Sequence, residues 1–321
     1  MPPDSFEPFF QNAHLATIAA NFWKRDLDLT RHPGQPTIFD TEPGVRVMAM
    51  THTPAQPRAE LVCLHGLEGS HDSGYLQSLA QAALARGFRV HRLNMRGCGG
   101  TEGLSKSLYH AGLTADLRAI VAQLGAERPI FLAGFSLGGN VVLKLAGELG
   151  AGAKMAAVAA VSVPLDLHAC CLKMMRPENR IYETRFVLSL KKRFARRAAE
   201  HPDLYKTEHL EGIKTVIEFD DRITAPYFGF GHAVNYYATQ SSQRFLEGIG
   251  VPTLLIQAQD DPLIPFDVYT RHAAFQTNPK LRLVATPHGG HVGFIARRQP
   301  RFWVDGQILA FFEEQLEHSG V

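Results

Sequence analysis

The feature of the sequence that most constrains its fold is an alternation of short apolar segments with amphipathic ones. The apolar segments, several of them rich in β-branched residues, lie at 60–64, 89–94, 130–133, 156–163, 253–258 and 281–285. Segments with apolar residues at three- and four-residue spacing lie at 75–85, 114–124, 141–149 and 302–316. Parallel strands need such crossover helices between them. The alternation therefore predicts an α/β fold, with a mostly parallel central sheet and helices on both faces.

Two regions depart from this alternation. Residues 37–40 and 45–52 predict short strands joined by a Pro-Gly turn. From about 166 to 248 the alternation of apolar and amphipathic segments is absent, and the sequence contains a basic helical stretch and the aromatic run APYFGFGHAVNYY. We interpret residues 166–248 as a cap insertion over the carboxyl edge of the sheet, within a single domain of residues 1–321.

Composition argues against several classes of protein. The 33 basic and 31 acidic residues give a net charge of +2, which offers no global attraction for nucleic acid. The longest apolar run, 155–165, is too short to span a bilayer, and the N-terminus lacks the pattern of a secretion signal. Four cysteines without metal-type spacing indicate reduced thiols. We therefore expect a cytoplasmic protein without a metal or other cofactor.

The segment IFLAGFSLGGN combines an apolar strand, a Gly-Phe-Ser-Leu-Gly turn and a helix that should begin near Gly139 or Asn140. This is the pattern of a nucleophile elbow, in which a sharp strand-to-helix turn presents a serine at the top of the sheet. Gly134 and Gly138 flank Ser136 where such a turn leaves no room for side chains. An ordinary turn serine is the alternative, and the strand–turn–helix setting favours a nucleophile.

A nucleophilic serine needs a base that a carboxylate orients. In elbow enzymes the acid and then the histidine follow the serine along the chain. The acid is predicted to be Asp261, which begins an Asp-Pro turn; its neighbour Asp260 is the alternative and can instead bond the loop backbone. The base is predicted to be His291, which follows two glycines. His288 is expected to be a loop residue or a hydrogen-bond donor, since a zinc site with His291 would lack further ligands.

The segment CLHGLEGS at 63–70 follows the first predicted parallel strand. Elbow enzymes place one backbone oxyanion donor there and the other on the residue after the nucleophile. We therefore expect the amides of Leu67 and Leu137 to form the oxyanion hole, while His65 braces the loop. A serine at the elbow forms an acyl-enzyme, so the expected reaction is acyl transfer or hydrolysis.

Motifs along nearly the whole chain resemble the YheT-like branch of α/β-hydrolase-fold proteins, family 4 of the AB hydrolase superfamily, which is related to abhydrolase-domain lipases and acyltransferases. The motifs are FEPFFQNAHLATI, LHGLEGS, NMRGCGG, YHAGLTADL, GFSLGGN, FDDRITAPYFGF, DDPLIP and HGGHVGF. Carried over by position, the family's triad falls on Ser136, Asp261 and His291. Where the family usually has proline and glutamine near the N-terminus, this chain has Ala13 and Ala16.

The resemblance implies a serine carboxylic-ester hydrolase with short- or medium-chain acyl esters as substrates, and with lipids among the candidates. An alcohol acyltransferase using the same triad is the nearest alternative. A noncatalytic binding protein with the same fold is the other alternative, and the ordered triad argues against it. The sequence leaves the oligomeric state open.

Four further features have structural interpretations. Arg96 is expected to pair with Asp116 or Glu102 and hold the glycine loop, with binding of an anionic substrate group as the alternative. Asp220 and Asp221 are expected to cap a helix near Thr224, with contact to the cap insertion as the alternative. The basic stretch 191–197 is interpreted as a solvated cap helix, with peripheral contact to an anionic membrane as the alternative. The remaining group of cap residues should supply the core of the cap and the wall of an acyl pocket together: Met174, Met175, Phe228, Phe230, Tyr236 and Tyr237.

Overall fold

The computed structural model describes residues 6–318; the first five and last three residues, including the start of the segment assessed for a secretion signal, lie outside the described residues. Eight strands are present: β1 Gln35–Glu42, β2 Val45–His52, β3 Ala59–Leu64, β4 Phe88–Leu93, β5 Ile130–Phe135, β6 Ala157–Val161, β7 Thr253–Ala258 and β8 Leu281–Thr286. The larger helices are α1 Ala13–Phe22, α2 Gly74–Leu84, α3 Ala115–Leu124, α4 Leu137–Leu149, α5 Leu167–Met174, α6 Arg180–Glu200, α9 Ala233–Gln240 and α12 Trp303–His318. Shorter ones are α7 Val216–Phe219, α8 Ala225–Tyr227, α10 Asp267–Thr270 and α11 Ala274–Thr277.

The strands form one sheet in the order β1-β2-β4-β3-β5-β6-β7-β8. The β1–β2 and β2–β4 pairs are antiparallel, and the other pairs are parallel. The predicted mostly parallel sheet is therefore confirmed. Its parallel strands end at one edge, where loops from β3, β5, β7 and β8 meet.

Alternating side chains of the central strands bury into two cores, one on each face of the sheet. On β5, Leu132 packs in the core that holds α3 and α4, while Ala133 and Phe135 pack in the core that holds α2 and α12. Both faces are covered, which explains why the central strands are buried along their whole length and are apolar apart from Glu60, whose carboxylate is paired with Arg89 and Arg128.

Two features near the site differ from expectation. Helix α1 lies in a stretch for which the sequence predicted no element. Helix α4 begins at Leu137 rather than near Gly139 or Asn140, because Ser136 alone makes the turn, with φ 52° and ψ −122°. Ser136, with its positive φ, thus makes on its own the turn for which the sequence suggested several residues.

Residues 166–248 lie between β6 and β7 and contain helices α5 to α9. They contact loops at the carboxyl edge of the sheet. The Lys173 ammonium donates to the Asp261 carbonyl at 2.6 Å, and the Arg193 guanidinium donates to the Gly97 carbonyl at 2.8 Å. Within residues 6–318, no helix has the length and apolarity required to cross a membrane.

Candidate active site

The turn between β5 and α4 leaves no space for side chains beside Ser136. A β-carbon on Gly138 would lie 2.5 Å from the carbonyl oxygens of Leu64 and His65, and one on Gly134 would lie 2.4 Å from the Gly138 carbonyl oxygen. Both distances are far below van der Waals contact. The two glycines therefore permit the first turn of α4 to pack closely against the end of β5 and against the end of β3, which places Ser136 at the carboxyl edge.

Ser136, His291 and Asp261 form a continuous hydrogen-bonded chain. The Ser136 hydroxyl lies 2.9 Å from His291 Nε2, and His291 Nδ1 lies 2.9 Å from Asp261 Oδ2. The Asp261 side chain is fully buried and that of His291 is 12% exposed. This arrangement holds one tautomer of the imidazole, with its unprotonated nitrogen toward the serine.

The Asp261 carboxylate is fixed by three further donors. Its Oδ1 accepts from the amides of Leu263 and Ile264 at 2.8 and 3.1 Å, and its Oδ2 accepts from the Gln257 amide group at 3.2 Å. These bonds compensate for the burial of a charged group. They also keep Oδ2 in line with His291.

Asp260 has a different environment from its neighbour. Its Oδ2 lies 3.1 Å from His288 Nδ1, and its Oδ1 accepts from the Gly290 amide at 2.9 Å. Asp260 and His288 thus fix the loop that precedes His291, and neither contacts Ser136. The structure therefore distinguishes the two acid candidates: Asp261 contacts the ring of His291, whereas Asp260 contacts the ring of His288.

Helix α1 fixes the loop that carries His291 by a hydrogen bond. The Thr17 hydroxyl accepts from the His291 amide at 2.8 Å and donates to the Ala13 carbonyl at 2.7 Å. On the other side, the Ser162 hydroxyl accepts from the Val292 amide at 3.1 Å. The N-terminal segment therefore positions His291.

The predicted oxyanion donors lie beside Ser136. A β-carbon on Gly66 would lie 3.1 Å from that of Ser136, so the loop after β3 packs directly against Ser136. The amides of Gly66 and Glu68 are occupied by tyrosine hydroxyls, Tyr75 at 2.9 Å and Tyr109 at 3.1 Å. Within residues 6–318, the Leu67 and Leu137 amides form no hydrogen bond. These two amides remain available to a ligand.

His65 is a structural group beneath this loop. Its Nε2 accepts from the Met95 amide at 3.1 Å, and its Nδ1 donates to the Gly66 carbonyl at 2.7 Å. Complete burial lowers its pKa to about 4, so the ring is neutral at pH 7. A neutral ring satisfies both partners, which agrees with the expected bracing role.

An apolar cavity of about 110 Å³ opens at Ser136 and His291. Its walls come from residues 166–248 and from the loops at the sheet edge, and they include Leu67, Leu137, Leu167, Met174, Phe186, Leu190, Phe194, Phe219, Phe228, Tyr236, Tyr237, Leu263 and Ile264. Of the six cap side chains expected there, Met174, Phe228, Tyr236 and Tyr237 line it. Met175 is 47% exposed on the surface, and Phe230 packs behind the wall against His110.

Two buried polar groups also line this cavity. Burial, with Lys144 and Arg96 nearby, lowers the pKa of His110 to about 3. Asp220 accepts from the hydroxyls of Thr224 and Tyr237 at 2.6 and 2.7 Å, and burial raises its pKa to about 6. Neither group contacts the triad through a hydrogen bond among residues 6–318.

The predicted capping role of the two aspartates near Thr224 is wrong. Asp220 lies inside a π-helical turn at Asp220–Thr224 and bridges that turn to α9 through Tyr237. Asp221 accepts from the Ala233 amide at 2.9 Å, so it caps the start of α9 instead. This difference arises from the tertiary structure. Helix α9 folds back over the π-helical turn and places the Ala233 amide, which has no partner within its own helix, beside Asp221.

Arg96 stabilises the glycine loop, as expected, through a bidentate pair with Asp116 at 2.6 and 2.7 Å. Its second carboxylate is Glu42, at 2.7 Å. Glu102, the other predicted partner, pairs with Arg196 at 3.0 Å. Arg96 is thus held by groups of the core domain and does not line the cavity at Ser136.

The basic stretch of α6 is divided between interior and surface. Arg193 lies 2.8 Å from Glu68, and Arg197 donates to the Glu102 carbonyl at 2.8 Å, so both join the cap to the loops after β3 and β4. Lys192 and Arg196 are exposed. The same helix carries an apolar stripe: Val187, Leu190 and Phe194 are buried and Phe186 is half-buried.

The four cysteines are free and buried, with Cys170 and Cys171 in the cavity wall. Burial raises the pKa of both of these thiols far above its usual range, so they stay protonated. Within residues 6–318, no group of three or more histidine, cysteine, aspartate or glutamate side chains is placed to hold a metal ion.

Sequence reasoning missed Tyr75, Tyr109 and Thr17. The two tyrosines occupy amides of the loop at 66–68, and Thr17 holds the His291 amide. The sequence indicated Tyr109 only as part of the motif YHAGLTADL, which carries the family resemblance. Their roles depend on contacts between residues far apart in the chain, which no local pattern indicates.

Comparison with known proteins identifies the family. Residues 60–297 match the α/β-hydrolase fold family. The chain is 32% identical to YheT of Escherichia coli (strain K12), a candidate esterase, over 96% of this chain and 92% of YheT. It is 30% identical to the phospholipase ABHD3 of Mus musculus, over 83% of this chain and 66% of that protein. The solved structure of the Pyrococcus furiosus esterase Pf2001 shares the fold at a TM-score of 0.60 and 17% identity, covering 90% of this chain and 96% of the esterase. The chain therefore belongs to the α/β-hydrolase fold family, and within it to the YheT-like branch.

Proposed function

We propose that this protein is a serine carboxylic-ester hydrolase that acts on short- or medium-chain acyl esters. The observation that carries the proposal is the hydrogen-bonded chain Ser136–His291–Asp261 at the opening of an apolar cavity. A binding protein has no need for a base held 2.9 Å from a serine hydroxyl. Membership of the family and the similarity to a phospholipase support the same reaction class.

In the proposed reaction, His291 Nε2 takes the proton of Ser136 as its hydroxyl oxygen attacks the ester carbonyl. Asp261 stabilises the imidazolium that forms and keeps its Nδ1 proton directed at Oδ2. The amides of Leu67 and Leu137 donate to the oxyanion of the tetrahedral intermediate, with the N-terminus of α4 adding its dipole. The intermediate collapses when His291 protonates the leaving alcohol.

Water then repeats the sequence on the acyl-enzyme and releases the carboxylic acid. The acyl chain would occupy the apolar cavity, whose volume is about 110 Å³. A cavity of this size alone limits the acyl chain to a short one, and a longer chain would extend into the groove of about 490 Å³ that also reaches Ser136 and His291. We propose that residues 166–248 act as a cap within a single hydrolase domain and set this limit.

The test is hydrolysis of nitrophenyl esters from acetate to palmitate by the wild-type protein and by Ser136→Ala, with matched folding checked by circular dichroism. We expect activity to peak at a short or medium chain, and the variant to lose it by at least about 10³-fold. Equal activity in both proteins would reject Ser136 as the nucleophile. Inactivity of both, with no labelling of the wild type by a serine-directed phosphonate, would favour a noncatalytic binding protein.

Acyl transfer to an alcohol uses the same acyl-enzyme and is distinguished by its product. Product analysis with an added alcohol should show mainly the free acid if hydrolysis dominates. Mainly a new ester would assign the protein to the acyltransferases. We also keep the cytoplasmic location as a prediction, because four free, buried cysteines need no oxidising compartment.

A further inference from the structure

Two helices beside the site carry exposed apolar side chains in stripes. On α1, Leu15, Ile18 and Phe22 are 55%, 41% and 78% exposed, at spacings that place them on one face. On α6, Ile181 and Leu188 are 74% and 63% exposed. Grouped exposure of large apolar side chains marks a contact surface more often than isolated exposure does.

The two stripes border one entrance to the triad. The His14 ring of α1 stacks on the Tyr182 ring of α6, and its Nδ1 lies 3.2 Å from the tyrosine hydroxyl. A groove of about 490 Å³ between these helices leads down to Ser136 and His291. Ile18, Phe22 and Ile181 lie on its rim. A molecule seated on both stripes would cover the opening of the groove.

The outward face of α6 is also cationic. Ile181, Arg185, Leu188 and Lys192 follow one another at three- and four-residue spacing, so apolar and basic side chains alternate along this face. Arg185 and Lys192 are exposed and form no ion pair or hydrogen bond within residues 6–318. The one carboxylate between 181 and 196, Glu183, is buried and accepts from the Val216 amide.

We propose that this face, made of Leu15, Ile18, Phe22, Ile181, Arg185, Leu188 and Lys192, docks on an anionic phospholipid surface. The apolar side chains would enter the headgroup boundary, and the two cations would contact lipid phosphates. The groove then opens toward the lipid, so an acyl ester passes from the surface to Ser136 without crossing water. The proposal deepens the proposed hydrolase function, on which it rests, by naming how the substrate is presented.

The test is co-sedimentation of the full chain with vesicles of phosphatidylcholine, alone or mixed with phosphatidylglycerol. We expect binding to the mixed vesicles that weakens as salt is added. Arg185→Gln with Lys192→Gln should weaken it by about 25-fold, at about fivefold for each lost charge. Leu15→Ser with Leu188→Ser should weaken it by about tenfold or more. The matched control, Leu204→Ser with Val234→Ser, changes exposed apolar residues outside both stripes and should bind like the wild type.

Several outcomes would overturn the proposal. These are equal binding to both vesicle types, binding that neither double variant weakens, and self-association of the chain that Leu15→Ser with Leu188→Ser abolishes. The last outcome would assign the face to a second copy of the protein. Hydrolysis of a soluble short-chain ester by that double variant should equal that of the wild type, which excludes misfolding as the cause of weak binding.

The docking proposal and the hydrolase proposal fail separately in this design. Ser136→Ala should bind mixed vesicles as the wild type does, because docking needs no nucleophile. Ester hydrolysis by a wild type that binds no vesicles would reject docking alone. Vesicle binding by a wild type that hydrolyses no ester would reject the hydrolase function alone.

Discussion

The Tyr75 hydroxyl accepts a hydrogen bond from the Gly66 amide at 2.9 Å, while the Tyr75 ring lies 4.7 Å from that of Phe135, the residue before the nucleophile. The Tyr109 hydroxyl holds the Glu68 amide in the same way. The two tyrosines thus occupy the amides on either side of Leu67. The Leu67 amide, which forms no hydrogen bond within residues 6–318, is thereby left to act as the oxyanion donor that we propose, in a loop that is fixed before the substrate arrives.

Tyr75→Phe should therefore lower kcat while KM changes little, because a loosened Leu67 amide contacts the transition state more than the ground state. We expect a loss of about tenfold in kcat, less than for complete removal of an oxyanion donor. Steady-state kinetics on a soluble nitrophenyl ester measures both constants. Tyr227→Phe is the control, since its hydroxyl accepts from the Lys206 amide at 3.2 Å, within residues 166–248, and not from the loop at 66–68. An equal loss in both variants would show that only general stability matters.

The two neighbouring aspartates should differ sharply in their effect on catalysis. Asp261→Asn should lower kcat by about 10⁴-fold, because an amide group directed at Nδ1 favours the wrong imidazole tautomer. Asp260→Asn loses the contact with His288 and should retain most of the activity. The comparison uses the same substitution at adjacent positions. A larger loss at Asp260 than at Asp261 would reverse the assignment of the acid.

Gly138→Ala should destabilise the protein by about 3 kcal/mol or more, because the new β-carbon would meet backbone carbonyls of β3 that cannot move away. Gly306→Ala is the matched control within α12, where a β-carbon has open space. That change should stabilise the protein by about 0.5–1 kcal/mol. Urea unfolding of the three proteins measures both effects, and a stable, active Gly138→Ala would show that the elbow is looser than the structure indicates.

Buried His110 predicts a dependence of stability on pH. Its pKa is about 3 in the folded protein and about 6.5 in the unfolded chain. Between these values the unfolded chain binds more protons, so this group makes the fold less stable as the pH falls from 6.5 toward 4. Relative to His110→Phe, the wild type should lose about 3 kcal/mol of unfolding free energy between pH 7 and pH 4.

The paired measurement isolates His110 from other buried groups. Asp220 and Asp305, whose pKa values burial raises to about 6 and about 7, act in the opposite direction over this range and are present in both proteins. Exposed His232→Gln is the control and should follow the wild-type curve. Parallel curves for the wild type and His110→Phe would contradict the buried, neutral state of this histidine.

Local patterns were enough to predict the strands of the sheet and to single out Ser136, Asp261 and His291, which the structure joins by hydrogen bonds. The alternation of apolar segments reflects burial on both faces, and the elbow motif reflects the close approach at Gly134 and Gly138. Such features depend on neighbours in the sequence. The choice of Asp261 over Asp260 also rested on a local signal, the Asp-Pro turn.

Contacts between distant segments could not be predicted in this way. Helix α1 is stabilised under the histidine loop by Thr17, 274 positions away from His291. Asp221 caps α9 at Ala233 because the chain folds back, which a capping rule for adjacent residues cannot detect. The division of the basic stretch, with Arg193 and Arg197 inward, depends on where Glu68 and Glu102 come to lie.

The central claim is that Ser136 is a nucleophile activated by His291. The most direct measurement is intact-protein mass after treatment with a serine-directed phosphonate, followed by peptide mapping, for the wild type, His291→Ala and Ser136→Ala. We predict one adduct, located on Ser136, in the wild type, much slower labelling of His291→Ala and no adduct on Ser136→Ala. An adduct on another residue, or equal labelling of the wild type and Ser136→Ala, would contradict the claim.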